Sequence, residues 1–116
     1  MNVFRDDGTE LAAGRVAELL ERGEVQLVDV REPYEWDEGR IPGARHIELE
    51  RLAARAGEID RERPVVFQCR LGARSAMATA AFRASGWDAY NLTGGIQAWA
   101  DAGLPLDPTD GRVADH

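Results

Sequence analysis

The stretch PVVFQCRLGARSAMATAAFRASG, residues 64–86, decides how this chain folds. Its first part, Val65–Gln68, is a short apolar run typical of a buried strand, and Pro64 stands at the first position, where a missing N–H is tolerated. The segment Cys69–Ser75 follows directly and leads into an alanine-rich helix that ends at Gly86. A strand, a tight loop and a helix in immediate succession predict one unit of a parallel α/β sheet.

The helix after this loop carries small and apolar residues at helical spacing. Met77, Ala80, Ala81 and Ala84 stand at positions i, i+3, i+4 and i+7, which places them on one face of the helix. We expect this stripe to pack closely against the sheet.

Strands and helices alternate on both sides of this unit. The sequence predicts strands at residues 25–30, 44–47 and 87–92, helices at 11–22, 49–56 and 95–102, and a further short helix that begins at Glu32. Strands separated by helices pair in parallel through right-handed crossovers. We therefore predict an α/β fold in which a central parallel β-sheet of about five strands is flanked by helices on both faces.

The length of 116 residues is enough for one domain. We assign residues 1–8 to an N-terminal lead-in and 9–106 to the domain, and we predict that 107–116, which lack apolar periodicity, form a flexible C-terminal tail. The chain has no apolar run long enough for a transmembrane helix, and charges interrupt its beginning where a signal peptide would be apolar. These features predict a cytoplasmic protein that does not bind membranes.

The composition excludes several kinds of chemistry. All 14 basic residues are arginines, so no lysine is present to form a Schiff base or to bind phosphate in a Walker-type loop. The 21 acidic residues give a formal net charge of −7, which disfavours binding to nucleic acid. One cysteine and two histidines provide neither a disulfide nor a convincing metal site, and we predict neither a metal nor another cofactor.

Cys69 lies where parallel sheets bind their ligands, at the carboxyl end of a strand. The helix that follows, the adaptable backbone of Gly72, and the charges of Arg70 and Arg74 all favour a thiolate over a thiol. A thiolate is a nucleophile, so the loop predicts covalent catalysis through sulfur. A lone buried cysteine is often inert, but an inert cysteine has no use for two arginines and a glycine beside it.

Four segments resemble, in the same order, the motifs of the rhodanese-like domain family. They match four features of the family: its Asp-Val-Arg and Gly-His-Ile-Pro-Gly-Ala motifs, its active-site loop, its Gly-Gly-x-x-x-Trp motif and its Gly-Leu-Pro motif. In the first of these, Arg40 stands where the family often has His. The segments are Asp29–Glu32 with Glu35–Ala44, Cys69–Ser75, Thr93–Trp99, and Ala102–Pro105. The likeness extends from about Thr9 to Leu106 and is closest in kind to a single-domain thiosulfate sulfurtransferase.

The resemblance implies a sulfurtransferase in which Cys69 is the catalytic residue. Its thiolate would take the sulfane sulfur of thiosulfate or a similar donor, and a thiol or cyanide would accept that sulfur from the Cys69 persulfide, without a cofactor. A thioredoxin-like or sulfur-carrier protein would be a suitable thiol partner. The substrate-binding residues implied by the family are those of the loop: Arg70, Leu71, Gly72, Ala73, Arg74 and Ser75.

Alternatives to this enzyme stay open from the sequence. The same persulfide could be loaded by a partner such as a cysteine desulfurase, which would make the chain a sulfur relay. Some rhodanese-like domains are non-catalytic interaction modules, although the intact Cys69 argues against that role. Related phosphatases need five residues between cysteine and arginine, whereas only four separate Cys69 from Arg74. The sequence leaves the oligomeric state open.

Other polar residues have more than one interpretation. Asp29 and Arg31 follow an apolar strand and could face the site, but we favour a supporting role as an ion-paired brace. Ser75 could donate a hydrogen bond to the sulfur, cap the following helix, or do both. The acidic residues among 35–38 are predicted to lie on a solvated helix face.

Overall fold

The computed structural model of the protein describes residues 8–116, and most of the predicted N-terminal lead-in therefore lies outside the described residues. A sheet of five strands, every pair of them parallel, occupies its centre. The spatial order is β1-β5-β4-β2-β3. The strands are β1 Glu10–Leu11, β2 Gln26–Asp29, β3 Arg45–His46, β4 Val65–Gln68 and β5 Ala89–Leu92.

Helices cover both faces of the sheet, which confirms the predicted fold class. The α-helices are α1 Ala13–Glu21, α2 Pro33–Glu38, α3 Ala73–Ala84 and α4 Gly95–Asp101. On one face, α1 and α4 pack through Val16, Leu19, Ile96 and Trp99. On the other face, Phe82 of α3 packs against the sheet with its ring near Phe67. Among residues 8–116, no helix is both long and apolar enough to span a bilayer.

Parallel pairing gathers the carboxyl ends of the strands at one edge of the sheet. Asp29 of β2 is in register with Gln68 of β4, and Phe67 is in register with Asn91 of β5. The residues that follow these strand ends therefore meet above the middle of the sheet. This edge holds the loop that begins at Cys69.

The predicted stripe on α3 is wrong by two positions along the helix. Met77, Ala80, Ala81 and Ala84 are all exposed. The buried face instead consists of Ser75, Ala78, Thr79 and Phe82, which have the same helical spacing. The prediction considered apolar character alone. The Thr79 hydroxyl can be buried because it keeps hydrogen-bond partners, the carbonyls of Ser75 and Tyr90, to which it donates.

Two further predictions of secondary structure differ from the structure. The predicted helix at 49–56 is replaced by two short 3-10 turns, Leu49–Arg51 and Ala56–Glu58. Leu52 is the one buried residue of that predicted helix, and a short helix needs an apolar face to be stable. Near the N-terminus, Leu11 belongs to the edge strand β1 rather than to the helix predicted at 11–22.

The segment 107–116 lies against α2 and the loops that flank it. Arg40 and Asp107 exchange two main-chain hydrogen bonds, of 3.0 and 2.7 Å. Farther along, the amide of Arg112 donates to the carbonyl of Glu38 at 2.9 Å, and Ala114 is buried. These contacts define the path of the segment, while its flexibility stays a prediction.

Candidate active site

Cys69 directly follows β4, and its sulfur accepts two hydrogen bonds. The backbone N–H of Gly72 donates to Sγ at 3.1 Å, and the hydroxyl of Ser75 donates to it at 3.4 Å. The turn that allows the first of these bonds needs a glycine, because Gly72 has a φ of 106°. Both donors stabilise negative charge on the sulfur.

The first turn of α3 also faces this sulfur. Gly72 is the N-cap of α3, and no side chain caps the helix. The hydroxyl of Ser75 therefore serves the sulfur, and the alternative prediction of a helix cap is wrong. The positive end of the α3 dipole adds to the stabilisation of a thiolate.

The N-terminus of α4 donates hydrogen bonds to the main chain of the loop. The amide of Ile96 donates to the carbonyl of Cys69 at 2.9 Å, and the amide of Gln97 donates to the carbonyl of Arg70 at 3.1 Å. A Cβ at Gly95 would overlap both of these carbonyl oxygens. The side chain of Asn91 adds a third bond, to the carbonyl of Gly72 at 3.2 Å. With its carbonyls engaged in this way, the loop keeps the amide of Gly72 directed at the sulfur.

Arg74 is paired with a buried carboxylate on α2. Its guanidinium donates two hydrogen bonds to Glu35, of 2.8 and 3.0 Å, and the Glu35 side chain is fully buried. Burial opposes the charged form of Glu35, but the hydrogen bonds from Arg74 and from the amide of Glu32 outweigh it and lower the pKa of Glu35. Burial likewise opposes the charged form of Arg74, yet the bond to Glu35 raises the pKa of Arg74. The prediction that residues 35–38 form a solvated face is therefore wrong at Glu35.

Arg70 is the second arginine of the loop, and it contacts a different acid. Its Nη2 lies 3.2 Å from Oδ1 of Asp115. Its Nε is buried and has no hydrogen-bond partner within residues 8–116. Because Asp115 is 96% exposed, this pair is screened by water and can exchange. Arg70 is thus the cation of the loop that is available to an incoming anion.

A pocket of about 220 Å³ opens beside the sulfur. Its lining consists of Cys69, Arg70, Leu71, Ala73, Arg74 and His116. Four of the six predicted substrate-binding residues therefore line the pocket, while Gly72 and Ser75 contact the sulfur itself. Leu71 is exposed at the tip of the loop.

Asp29 and Arg31 form a fully buried ion pair at the end of β2. The guanidinium of Arg31 donates to Asp29 at 2.7 Å and to the carbonyl of Gly39 at 2.8 Å. The ring of His46 contacts the carbonyl of Arg31 at 2.8 Å and stacks on Trp36. The described contacts of this pair are thus with neighbouring chain segments, and neither residue lines the pocket beside Cys69.

One group of acidic side chains in residues 8–116 has the spacing of metal ligands. Oxygen atoms of Glu32, Glu48 and Glu50 lie within 4.8 Å of one another. Glu32 already accepts the amide hydrogen bond that caps α2, and Glu48 accepts a hydrogen bond from the guanidinium of Arg51. Two of the three carboxylates therefore have protein partners.

Sequence reasoning missed five residues that shape this site. Glu35 had a local signal, since it stands three residues after Glu32, the spacing of a capping box, and Pro33 occupies the first helical position between them. Gly95 had no signal beyond the resemblance of the Gly-Gly segment to the family motif, and Asn91, which lies before that segment, had none. Asp115 and His116 had none at all, because the sequence does not show where residues 107–116 lie.

Comparison with known proteins agrees with this geometry. The chain is 42% identical over 94 residues to a sulfurtransferase of Allochromatium vinosum, covering 80% of this chain and 88% of that protein. It is 35% identical over 109 residues to the thiosulfate sulfurtransferase GlpE of Pseudomonas aeruginosa, covering 93% and 97%. It is also 37% identical over 108 residues to the probable adenylyltransferase/sulfurtransferase MoeZ of Mycobacterium tuberculosis, but spans only 28% of that relative. These relatives support sulfurtransferase activity in general.

Solved structures and a family model give the same assignment. The fold is similar to that of a rhodanese-related protein from Thermoplasma volcanium, with a TM-score of 0.79, 28% identity, and coverage of 84% of this chain and 96% of that one. The model of the rhodanese-like domain matches residues 12–102, which include every strand except β1 and the whole loop from Cys69 to Ser75. The chain belongs to the rhodanese-like domain family.

Proposed function

We propose that the protein is a thiosulfate sulfurtransferase that works through a persulfide on Cys69. The observation that carries this proposal is the convergence of the Gly72 amide and the Ser75 hydroxyl on Sγ, at the base of a pocket that Arg70 also lines. Such a site stabilises a sulfur anion before and after transfer. Its cation suits a small anionic donor, although the molecule as a whole has a formal net charge of −7.

In the first half of the reaction, the Cys69 thiolate attacks the outer sulfur of thiosulfate. A bond forms between Sγ and that sulfur, the bond to the central sulfur breaks, and sulfite leaves with the electron pair. Arg70 compensates the charge of the donor, while the Gly72 amide and the Ser75 hydroxyl stabilise the attacking thiolate. The product is a negatively charged persulfide on Cys69.

In the second half, a nucleophilic acceptor attacks the terminal sulfur of the persulfide. Cyanide leaves as thiocyanate, or a thiolate leaves as a persulfide, and the electron pair of the broken S–S bond returns to the Cys69 thiolate. The chemistry is ping-pong and balances without a cofactor. We propose a thioredoxin-like or sulfur-carrier protein as the thiol acceptor, and the cytoplasmic location stays a prediction.

Thiocyanate formation from thiosulfate and cyanide tests the proposal. We expect Cys69→Ser to abolish turnover without loss of fold, and Arg70→Ala to raise KM for thiosulfate by about ten-fold. Arg22→Ala is the matched control, because Arg22 is exposed and precedes β2, at the opposite edge of the sheet. Turnover by Cys69→Ser, or an equal effect of the two arginine variants, would contradict the proposal.

A sulfur relay is the second candidate, favoured by the likeness to part of the much longer MoeZ protein. In that role the persulfide on Cys69 would be loaded directly by a partner such as a cysteine desulfurase. The two functions differ in one measurement. A relay would accept sulfur from a desulfurase and cysteine far faster than from thiosulfate, whereas the proposed enzyme shows the opposite preference.

A further inference from the structure

The segment 107–116 follows the part of the chain that matches the family model, which ends at residue 102. It returns along α2 to the active-site edge of the sheet. The main chain holds it at Arg40 and at Glu38, and the Arg112 side chain reinforces the second contact with an ion pair of 2.7 Å to Glu38. The burial of Ala114 then places Asp115 and His116 close to the loop.

Both of these residues contact the charged groups around Cys69. The hydroxyl of Tyr34 on α2 donates to the Asp115 carbonyl at 3.2 Å, which leaves the Asp115 carboxylate beside Arg70. Nδ1 of His116 lies 3.3 Å from Oε1 of Glu35, and His116 lines the pocket together with Cys69. The segment therefore provides one wall of the pocket and an acid that contacts its available cation.

We propose that Asp115 and His116 determine which reagents reach Cys69. The Asp115 carboxylate contacts Nη2 of Arg70, so an anion that enters the pocket competes with it for the guanidinium, and Asp115 weakens the attraction of small anions. His116 is the lining residue of this pocket that does not belong to the loop, and its ring takes up space there, so it discriminates against bulky groups. The proposal rests on the proposed function only in treating those reagents as sulfur donors.

The geometry shows why Asp115 acts as a competitor rather than as a permanent partner. Its side chain is 96% exposed, so water screens its attraction to Arg70. The other arginine of the loop is different, because Glu35 holds Arg74 with two hydrogen bonds from a fully buried position. An incoming anion therefore exchanges with Asp115 and leaves the pair of Arg74 and Glu35 intact.

Alkylation of Cys69 tests the charge effect without requiring sulfur transfer. The rates for iodoacetate, an anion, and for iodoacetamide, its neutral analogue, are compared in the 116-residue chain. We expect Asp115→Asn to raise the iodoacetate-to-iodoacetamide ratio by about two- to five-fold. Asp110→Asn removes the same charge from an exposed position on the same segment and should leave the ratio unchanged. Equal ratios in the two variants would overturn the role of Asp115.

The size effect is tested with iodoacetamide and its bulkier N-phenyl derivative. We expect His116→Ala to raise the relative rate of the bulky reagent several-fold, while Asp110→Ala does not. An unchanged ratio in His116→Ala would overturn the role of His116.

Turnover separates this inference from the proposed function. If thiosulfate is the donor, Asp115→Asn also lowers its KM without a change in kcat. Altered alkylation ratios in a protein that forms no persulfide with thiosulfate would refute the proposed thiosulfate sulfurtransferase and support the role of the segment. Normal turnover with unaltered alkylation ratios would support the sulfurtransferase and refute the role of the segment.

Discussion

At the scale of single residues, the two donors to the Cys69 sulfur differ in origin. The Gly72 amide belongs to the backbone of the loop, so it is present in any variant that keeps the turn. The Ser75 hydroxyl is a side chain inside α3 and can be removed alone. Ser75 therefore offers a measure of how much one hydrogen bond to the sulfur contributes to its reactivity.

We expect Ser75→Ala to slow persulfide formation from thiosulfate by about ten-fold, because the thiolate loses one charge-assisted hydrogen bond. The melting temperature should change little, since Ser75 does not cap α3. Rapid mixing with thiosulfate measures the first step, and Ser85→Ala, at the other end of the same helix, is the control. A rate equal to that of Ser85→Ala would contradict this role.

Residues adjacent to Cys69 in sequence could be predicted, and their partners could not. Arg70 and Arg74 lie within five positions of the cysteine, so their charges were evident. Their acids lie 45 and 39 positions away from them, at Asp115 and Glu35. Only the folded chain shows that each arginine is paired, and hence that the two have different roles.

At the scale of elements, α4 supports the active-site loop. Its N-terminus donates amide hydrogen bonds to two carbonyls of the loop, which requires the backbones to approach closely. Gly95 permits this approach because it lacks a Cβ, and it adopts a φ of 61°. The resemblance to the family indicated the Gly-Gly motif in the sequence. The structure gives the physical reason for a glycine at position 95, which is the close contact between α4 and the loop.

We expect Gly95→Ala to lower activity at least ten-fold and to destabilise the fold by about 3 kcal/mol, because the new Cβ overlaps the carbonyls of Cys69 and Arg70. Gly103→Ala is the matched control, since Gly103 has a similar positive φ of 76° but no atom within 4 Å of a new Cβ. Urea unfolding and thiocyanate assays of both variants separate backbone strain from the clash. Equal losses would show that the contact with α4 is unimportant.

At the scale of the whole molecule, the predicted architecture is confirmed because alternating strands and helices allow few topologies. Apolar runs identified β2 and β4, the buried strands at the centre of the sheet. The predicted strand at 44–47 is present as the two-residue strand β3. The other two-residue strand, β1, is too short for a pattern of its own, and its pairing with β5 defines it. The one long-range ion pair that joins α2 to α3, Glu35 with Arg74, also links the fold to the pH of the solution.

The sign of that link follows from the lowered pKa of Glu35. The unfolded chain binds a proton at Glu35 more readily than the folded chain does, so the pair contributes stability above the ordinary pKa of 4.5. This contribution is lost as the pH falls from there through the lower pKa of the folded state.

We expect wild type to be more stable than Glu35→Gln at neutral pH, by on the order of 2 kcal/mol, and the difference to shrink as the pH falls below about 4. Urea unfolding across that range measures the difference, and Glu18→Gln, which removes an exposed acid from α1, is the control. A difference between wild type and Glu35→Gln that stays constant with pH would contradict the assignment.

The intact mass of the protein after exposure to thiosulfate, and again after addition of cyanide, tests the central claim most directly. We predict that wild type gains one sulfur atom, that fragmentation locates it on Cys69, and that cyanide removes it as thiocyanate. The Cys69→Ser variant should gain nothing. A folded wild-type protein whose mass does not change with thiosulfate, or a sulfur atom located elsewhere than on Cys69, would contradict the account.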